Sequence, residues 1–169
     1  MGWFINERKV KAAANSMHQF CQVVRSIFPD DTDDGVIESA TIFLYVRLSR
    51  DLFGRRFAEC LSTRLRDRLK YATVSEVKTR IARIARQADD LERAAVSVSS
   101  PRCSPQEKCR NHVTSVIESL LLEAGFRSDD PQLLKETYPR FEDVVRGLKT
   151  HLLGIKEQNA VMMKRTSPR

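Results

Sequence analysis

The chain has 169 residues, with 29 Lys/Arg against 22 Asp/Glu for a formal net charge of +7, and 41% of its residues are hydrophobic. That length suits one domain burying roughly 70% of the surface its unfolded state exposes, and the balanced composition, with six Gly and six Pro, excludes a disordered or fibrous chain. The most apolar stretch, Ala40 to Val46, falls far short of the roughly 20 residues of a membrane span.

The apolar start, Met1 to Ile5, is followed by polar and basic residues from Asn6 to Lys11, the reverse of the order in a secretory signal, so a cytoplasmic location is expected. Asn6 also stands where a myristoylation motif at Gly2 requires Ser or Thr. The first helix is predicted from Asn6 as N-cap, with Val10, Ala13, Ala14, Met17, Phe20, Cys21, Val24 and Ile27 on one face, stopping before Pro29. An acidic loop, Asp30 to Gly35, leads into a second helix from about Asp34 to Phe53 that is apolar on nearly all sides and reads as the buried central element.

Gly54 separates this from a third helix, Arg55 to Tyr71, with Phe57, Ala58, Leu61, Leu65 and Leu69 inward and mostly basic residues elsewhere. Thr73 caps a fourth helix whose Val74, Val77, Ile81, Ile84, Ala88, Leu91, Ala95 and Val98 form a near-heptad seam made for another helix. Residues 99 to 104 are linker-like. Ser104, Pro105 and Glu107 then form a capping box that opens a fifth helix with Cys109, Val113, Val116, Ile117, Leu120, Leu121 and Ala124 inward and Gly125 at its end. A short sixth helix is expected from Asp129 until just before Pro139, and a last one from Pro139 to about Lys164 with a second seam at Phe141, Val145, Leu148, Leu152, Ile155, Asn159 and Met162. The expected fold is all-α, an antiparallel bundle of six to seven helices: one domain over residues 1–163 and a basic tail over 164–169. Either seam is also suited to a homodimer.

Charge is concentrated in the middle of the chain. Residues 47–86 carry 12 Lys/Arg against 4 Asp/Glu, and beyond Arg55 nearly all of these cations are arginine, whose fork suits carboxylate or phosphate. Glu76 is placed to pair with Arg80 and Asp89 with Arg93, each at i,i+4, whereas Arg64, Arg66, Arg68 and Arg83 lack an acid in local register. Arg64, Arg66, Arg68, Arg80, Arg83 and Arg86 are therefore the expected binding residues for an acidic protein surface or a nucleic acid. The acidic loop Asp30 to Asp34 is the intramolecular alternative.

Three other patterns bear on chemistry. The acidic loop fails as a calcium site, because with Gly35 at the sixth place the closing Glu would fall on Thr41; it reads instead as a helix N-cap. His18 with Cys21 and Cys109 with His112 are i,i+3 pairs that would make a Cys2His2 zinc site if their helices were neighbours, against the simpler reading of buried thiols and boundary imidazoles. With no secretory signal the four cysteines are not expected to form disulfides. Arg146 and His151 have the spacing Arg-x4-His, which resembles the catalytic motif of HEPN-type ribonucleases, small all-α bundles in which this Arg and His act at the RNA phosphodiester; Gly147 departs from the polar residue often found after the Arg. The resemblance implies RNA cleavage by Arg146 and His151. Hydrolase triads, phosphate loops and dinucleotide signatures are absent, so no cofactor is expected and a binding or adaptor role leads.

Overall fold

The computed structural model describes residues 6–98, 104–126 and 130–166, with side chains described as far as residue 95 in the first span and 157 in the last. Seven helices make up the described chain: α1 (Glu7–Asn15), α2 (Met17–Arg25), α3 (Asp34–Phe53), α4 (Arg55–Arg66), α5 (Val74–Val98), α6 (Pro105–Glu123) and α7 (Pro131–Thr166). The fold is the expected all-α bundle, with no strand among the described residues. None of the helices is long and apolar enough to cross a membrane.

Helix α3 is the hub. Its side chains from Gly35 to Tyr45 are all buried, and it packs against α2, α4, α5 and α7. A helix apolar around its whole circumference has to be surrounded, and each fully buried Leu or Ile contributes roughly 1.5–3 kcal/mol of transfer free energy. Helices α5 and α6 form the most extensive pair, joined across the seam by Val77, Ile84 and Ala88 on one side and Val116, Leu120 and Leu121 on the other. Ser119 strengthens this pair by donating its hydroxyl to the Ile84 carbonyl (2.7 Å). The α7 seam, through Phe141, Leu148, Leu152 and Ile155, is likewise buried within the chain, against α3, α6, α1 and α2. Among the described side chains the two seams are largely buried within the chain, with Ile81 and Val145 half buried; those of Val98, Asn159 and Met162 lie outside the described residues.

The caps are local chemistry and fall where the sequence places them. Asn6 accepts from Lys9 N, Asp33 from Gly35 N, and Ser104 and Glu107 complete a reciprocal box. Thr73 and Glu76 form a second box, Thr73 N donating to Glu76 Oε2 (2.8 Å) and Glu76 N to Thr73 Oγ1 (3.2 Å). At the end of α6, Gly125 has φ 88° and the amides of Gly125 and Phe126 return to the carbonyls of Leu122 and Leu121, a Schellman closure.

Four expectations need correction. The first helix is broken at Ser16, which separates α1 from α2 and whose hydroxyl donates to the Ala12 carbonyl (3.1 Å). The third ends at Arg66 rather than Tyr71, because the amides of residues 70–72 are drawn away to Glu38. The sixth and last helices are one, α7, with Pro139 inside it. Pro139 removes the partner of the Lys135 carbonyl, but both residues are exposed, so water replaces that bond. Cys109 and Val74, expected inward, are exposed, each near the start of its helix beyond the reach of the core. Of the expected basic tail, Lys164–Thr166 continue the backbone of α7 and residues 167–169 lie outside the described residues, as does Cys103.

Candidate functional site

The six arginines selected from the sequence do not share one surface. Arg64 turns toward α1, where Nη2 lies 3.9 Å from Glu7. Arg68 occupies the turn after α4, where its carbonyl accepts from His18 Nε2 (3.0 Å). Arg80 does not pair with Glu76, which is committed to its capping box; its Nε lies 4.0 Å from the nearly buried Glu123, and its Nη1 is buried without a hydrogen-bond partner. Arg83 grips the same Glu123 with two hydrogen bonds, Nε at 2.8 Å and Nη2 at 2.5 Å. Arg93 pairs with Asp90 rather than Asp89. The acidic loop answers none of the six: Asp34 pairs with Arg25, and Asp33 is spent on the cap.

Arg66 and Arg86 behave differently. Arg66 faces a groove bounded by α3, α4 and α5, with a volume of about 560 Å³, whose walls also carry Arg47, Arg50 and Lys78. The floor is apolar, formed by Phe43, Val46, Val77, Ile81, Ala82 and Ala85, and two acids, Asp51 and Asp89, stand on the rim. A second hollow, also about 560 Å³, continues from it through the shared residues Val46, Arg50, Ser62 and Arg66 toward Arg55, which is paired with Glu59. A third continues at the opposite end through Lys78 and Ala82 to Arg83 and Arg86. The three form one channel along α5 and α4. Among the described residues Arg50, Arg66, Lys78 and Arg86 make no ion pair, the closest contact being Arg66 to the Ser62 hydroxyl at 3.4 Å.

Arg47 links the groove to α5 and α6. Its Nη2 donates to His112 Nε2 (2.7 Å) while its guanidinium lies over the Phe43 ring (5.7 Å), and His112 Nδ1 in turn donates to Glu92 Oε2 (2.8 Å). This Arg47–His112–Glu92 chain ties α3, α6 and α5 together at the end of the groove. The sequence reading placed His112 in a zinc set and missed this role, because the three residues come from three helices.

The four proposed metal ligands are not brought together. Helix α2 packs on α3, α7 and α1, whereas α6 packs on α5 and α7. His18 is bonded to the Arg68 carbonyl, Cys109 is exposed, and burial pushes the Cys21 thiol above its usual range, away from the thiolate a metal needs. No cluster of three or more His, Cys, Asp or Glu suited to a metal occurs among the described residues. Cys21, Cys60 and Cys109 are all free thiols.

Arg146 and His151 also diverge. Helix α7 is continuous through Gly147, so five residues amount to about 140° of rotation. Arg146 extends into water beside Asp143 (3.3 Å), while the His151 ring packs on Phe20 with centroids 5.0 Å apart and buries Nε2 without a hydrogen-bond partner. Burial holds the His151 pKa below the ordinary imidazole value. The pair does not form the convergent site that the HEPN resemblance implies. No protein-family model, curated protein or solved structure significantly matches the chain.

A further charged site was not foreseen. Glu38, in the middle of the apolar α3, is 1% exposed and accepts three backbone hydrogen bonds, from Lys70 N (2.9 Å), Tyr71 N (3.2 Å) and Ala72 N (3.1 Å). It acts as a clamp on the α4–α5 connection, tying it to α3. A single acid within the apolar run Val36 to Val46 was the available signal, since a buried carboxylate requires a set of donors.

Proposed function

We propose that the protein is a non-catalytic binding or adaptor module that engages an acidic partner through the groove between α3, α4 and α5. The observation that carries this reading is that Arg50, Arg66 and Lys78 converge on one groove without an ionic partner among the described residues. Elsewhere the fold supplies such partners over long sequence distances, as Glu123 does for Arg83. Cations left open along a concave surface raise the local concentration of an anionic ligand and accelerate its encounter. Arg86 extends the same field at one end, whereas Arg80 and Arg83 are turned to Glu123 and Arg64 toward Glu7.

The test is binding of fluorescein-labelled polyglutamate by fluorescence anisotropy at low and high salt. Arg50→Glu and Arg66→Glu should weaken binding at least ten-fold, and added salt should weaken wild-type binding. Binding that ignores both substitutions would remove the groove from the function.

A further inference from the structure

Building on that reading, we infer that the occupant of the groove is an amphipathic helix of a partner protein, with one apolar stripe flanked by Asp and Glu. The floor and the rims differ in chemistry, and a ligand must match both. Val46, Ile81 and Ala85 are only half buried and Ala82 is exposed, so the floor keeps apolar surface in contact with water that a purely ionic ligand would leave uncovered. Cations stand above it from all three walls: Arg47 and Arg50 on α3, Arg66 on α4 and Lys78 on α5. An apolar stripe set into the floor brings carboxylates one helical step to either side up to those cations, the arrangement of helix-in-groove recognition.

Two observations favour protein over nucleic acid. Asp51 and Asp89 on the rim would oppose a phosphate backbone, while a peptide can set Lys or Arg against them. The one aromatic ring on the floor, Phe43, is 6% exposed and lies beneath the Arg47 guanidinium, so no open aromatic face is offered for base stacking. The length fits as well. From Val77 to Asp89 the groove follows α5 for about 18 Å, or a little over three helical turns of ligand.

The experiment uses the full chain and four labelled probes. These are a peptide of about 14 residues with Leu on one helical stripe and Glu on its flanks, a shuffled peptide of the same composition, polyglutamate of equal length, and an oligothymidylate. The striped peptide should bind at least ten-fold more tightly than each of the others. Ala82→Trp, which fills the floor at an exposed helical position without changing charge, should weaken it at least ten-fold, as should Arg66→Glu; circular dichroism checks that both variants keep their helix content. If the shuffled peptide or polyglutamate binds equally well, or Ala82→Trp changes nothing, the helix inference fails while the acidic-partner reading stands. Tightest binding of the oligothymidylate overturns it in favour of nucleic acid, and concentration-dependent self-association abolished by Ala82→Trp overturns it in favour of a second copy. If no probe binds in an Arg66-dependent manner, both readings fall.

Discussion

In the N-terminal half of α3 the chain closes its own charges: Asp33 caps the helix, Asp34 pairs with Arg25, and Glu38 gathers three backbone amides around a buried carboxylate. In the C-terminal half, about three to five turns further on, Arg50 points into a groove with Arg66 and Lys78 and none of the three finds an acid among the described residues. One helix therefore does two jobs. The first half spends charge on holding the α4–α5 connection, and the second leaves charge available in the groove. The same division runs through the arginines of α4 and α5, where Arg64, Arg80 and Arg83 meet Glu7 or Glu123 and Arg66 and Arg86 do not.

The contrast is broken most severely at Glu38. Replacing it by Ala strands amide donors in a part-buried turn and should cost about 3 kcal/mol or more of stability. Urea unfolding should show the lowered midpoint, and hydrogen exchange should show lost protection at residues 70–72. Arg50→Ala and Arg66→Ala should stay within about 0.5 kcal/mol of wild type, as surface changes without partners do. Asp33→Ala removes only the N-cap acceptor and should cost about 1 kcal/mol by the same measurement.

Smaller effects sharpen the comparison along α5. Arg83→Ala should cost up to about 1 kcal/mol, since Arg83 is half exposed and its ion pair is partly screened, whereas Lys78→Ala and Arg86→Ala should be neutral in thermal unfolding. The smallest effect concerns pH. The folded state holds His151 below its ordinary pKa of 6.5, so the unfolded state takes up the proton first on acidification. The contribution of neutral His151 is complete above that value, begins to be lost as pH falls through about 6.5 and is fully lost once pH drops below the depressed folded pKa. His151→Leu should flatten that part of the stability profile, and an unchanged profile would place the titration elsewhere.

What could be read from the chain alone was what is decided within a few residues. Helix α3 came out with its bounds, Asp34–Phe53, because apolar residues around the whole circumference and a cap at Asp33 are local facts. The capping box at Ser104 and the cap at Thr73 were legible for the same reason, although Glu76, which completes a box with Thr73, was assigned to Arg80. The Ser16 break was missed because the apolar spacing runs through it unchanged, and the same hydroxyl bond occurs inside continuous helices at Ser39, Thr41 and Ser115. The early end of α4 was missed because its cause, Glu38, sits 32 residues before Lys70. The site divided along the same line. The excess of arginine was visible, but which arginines remain open depends on acids such as Glu123, 40 residues from Arg83, and the groove also uses Arg47 and Arg50, which were counted in the basic segment but not among the six selected.

The most direct test follows the arginine side chains themselves. In a spectrum of the ¹⁵N-labelled protein that resolves the arginine Nε–Hε groups, titration with unlabelled polyglutamate should shift Arg50 and Arg66 first and leave Arg64 and Arg83, held by Glu7 and Glu123, nearly unmoved. Shifts that begin at Arg83 or Arg64, or that spread evenly over all arginines, would contradict the account by showing that the groove has no preference for an acidic ligand.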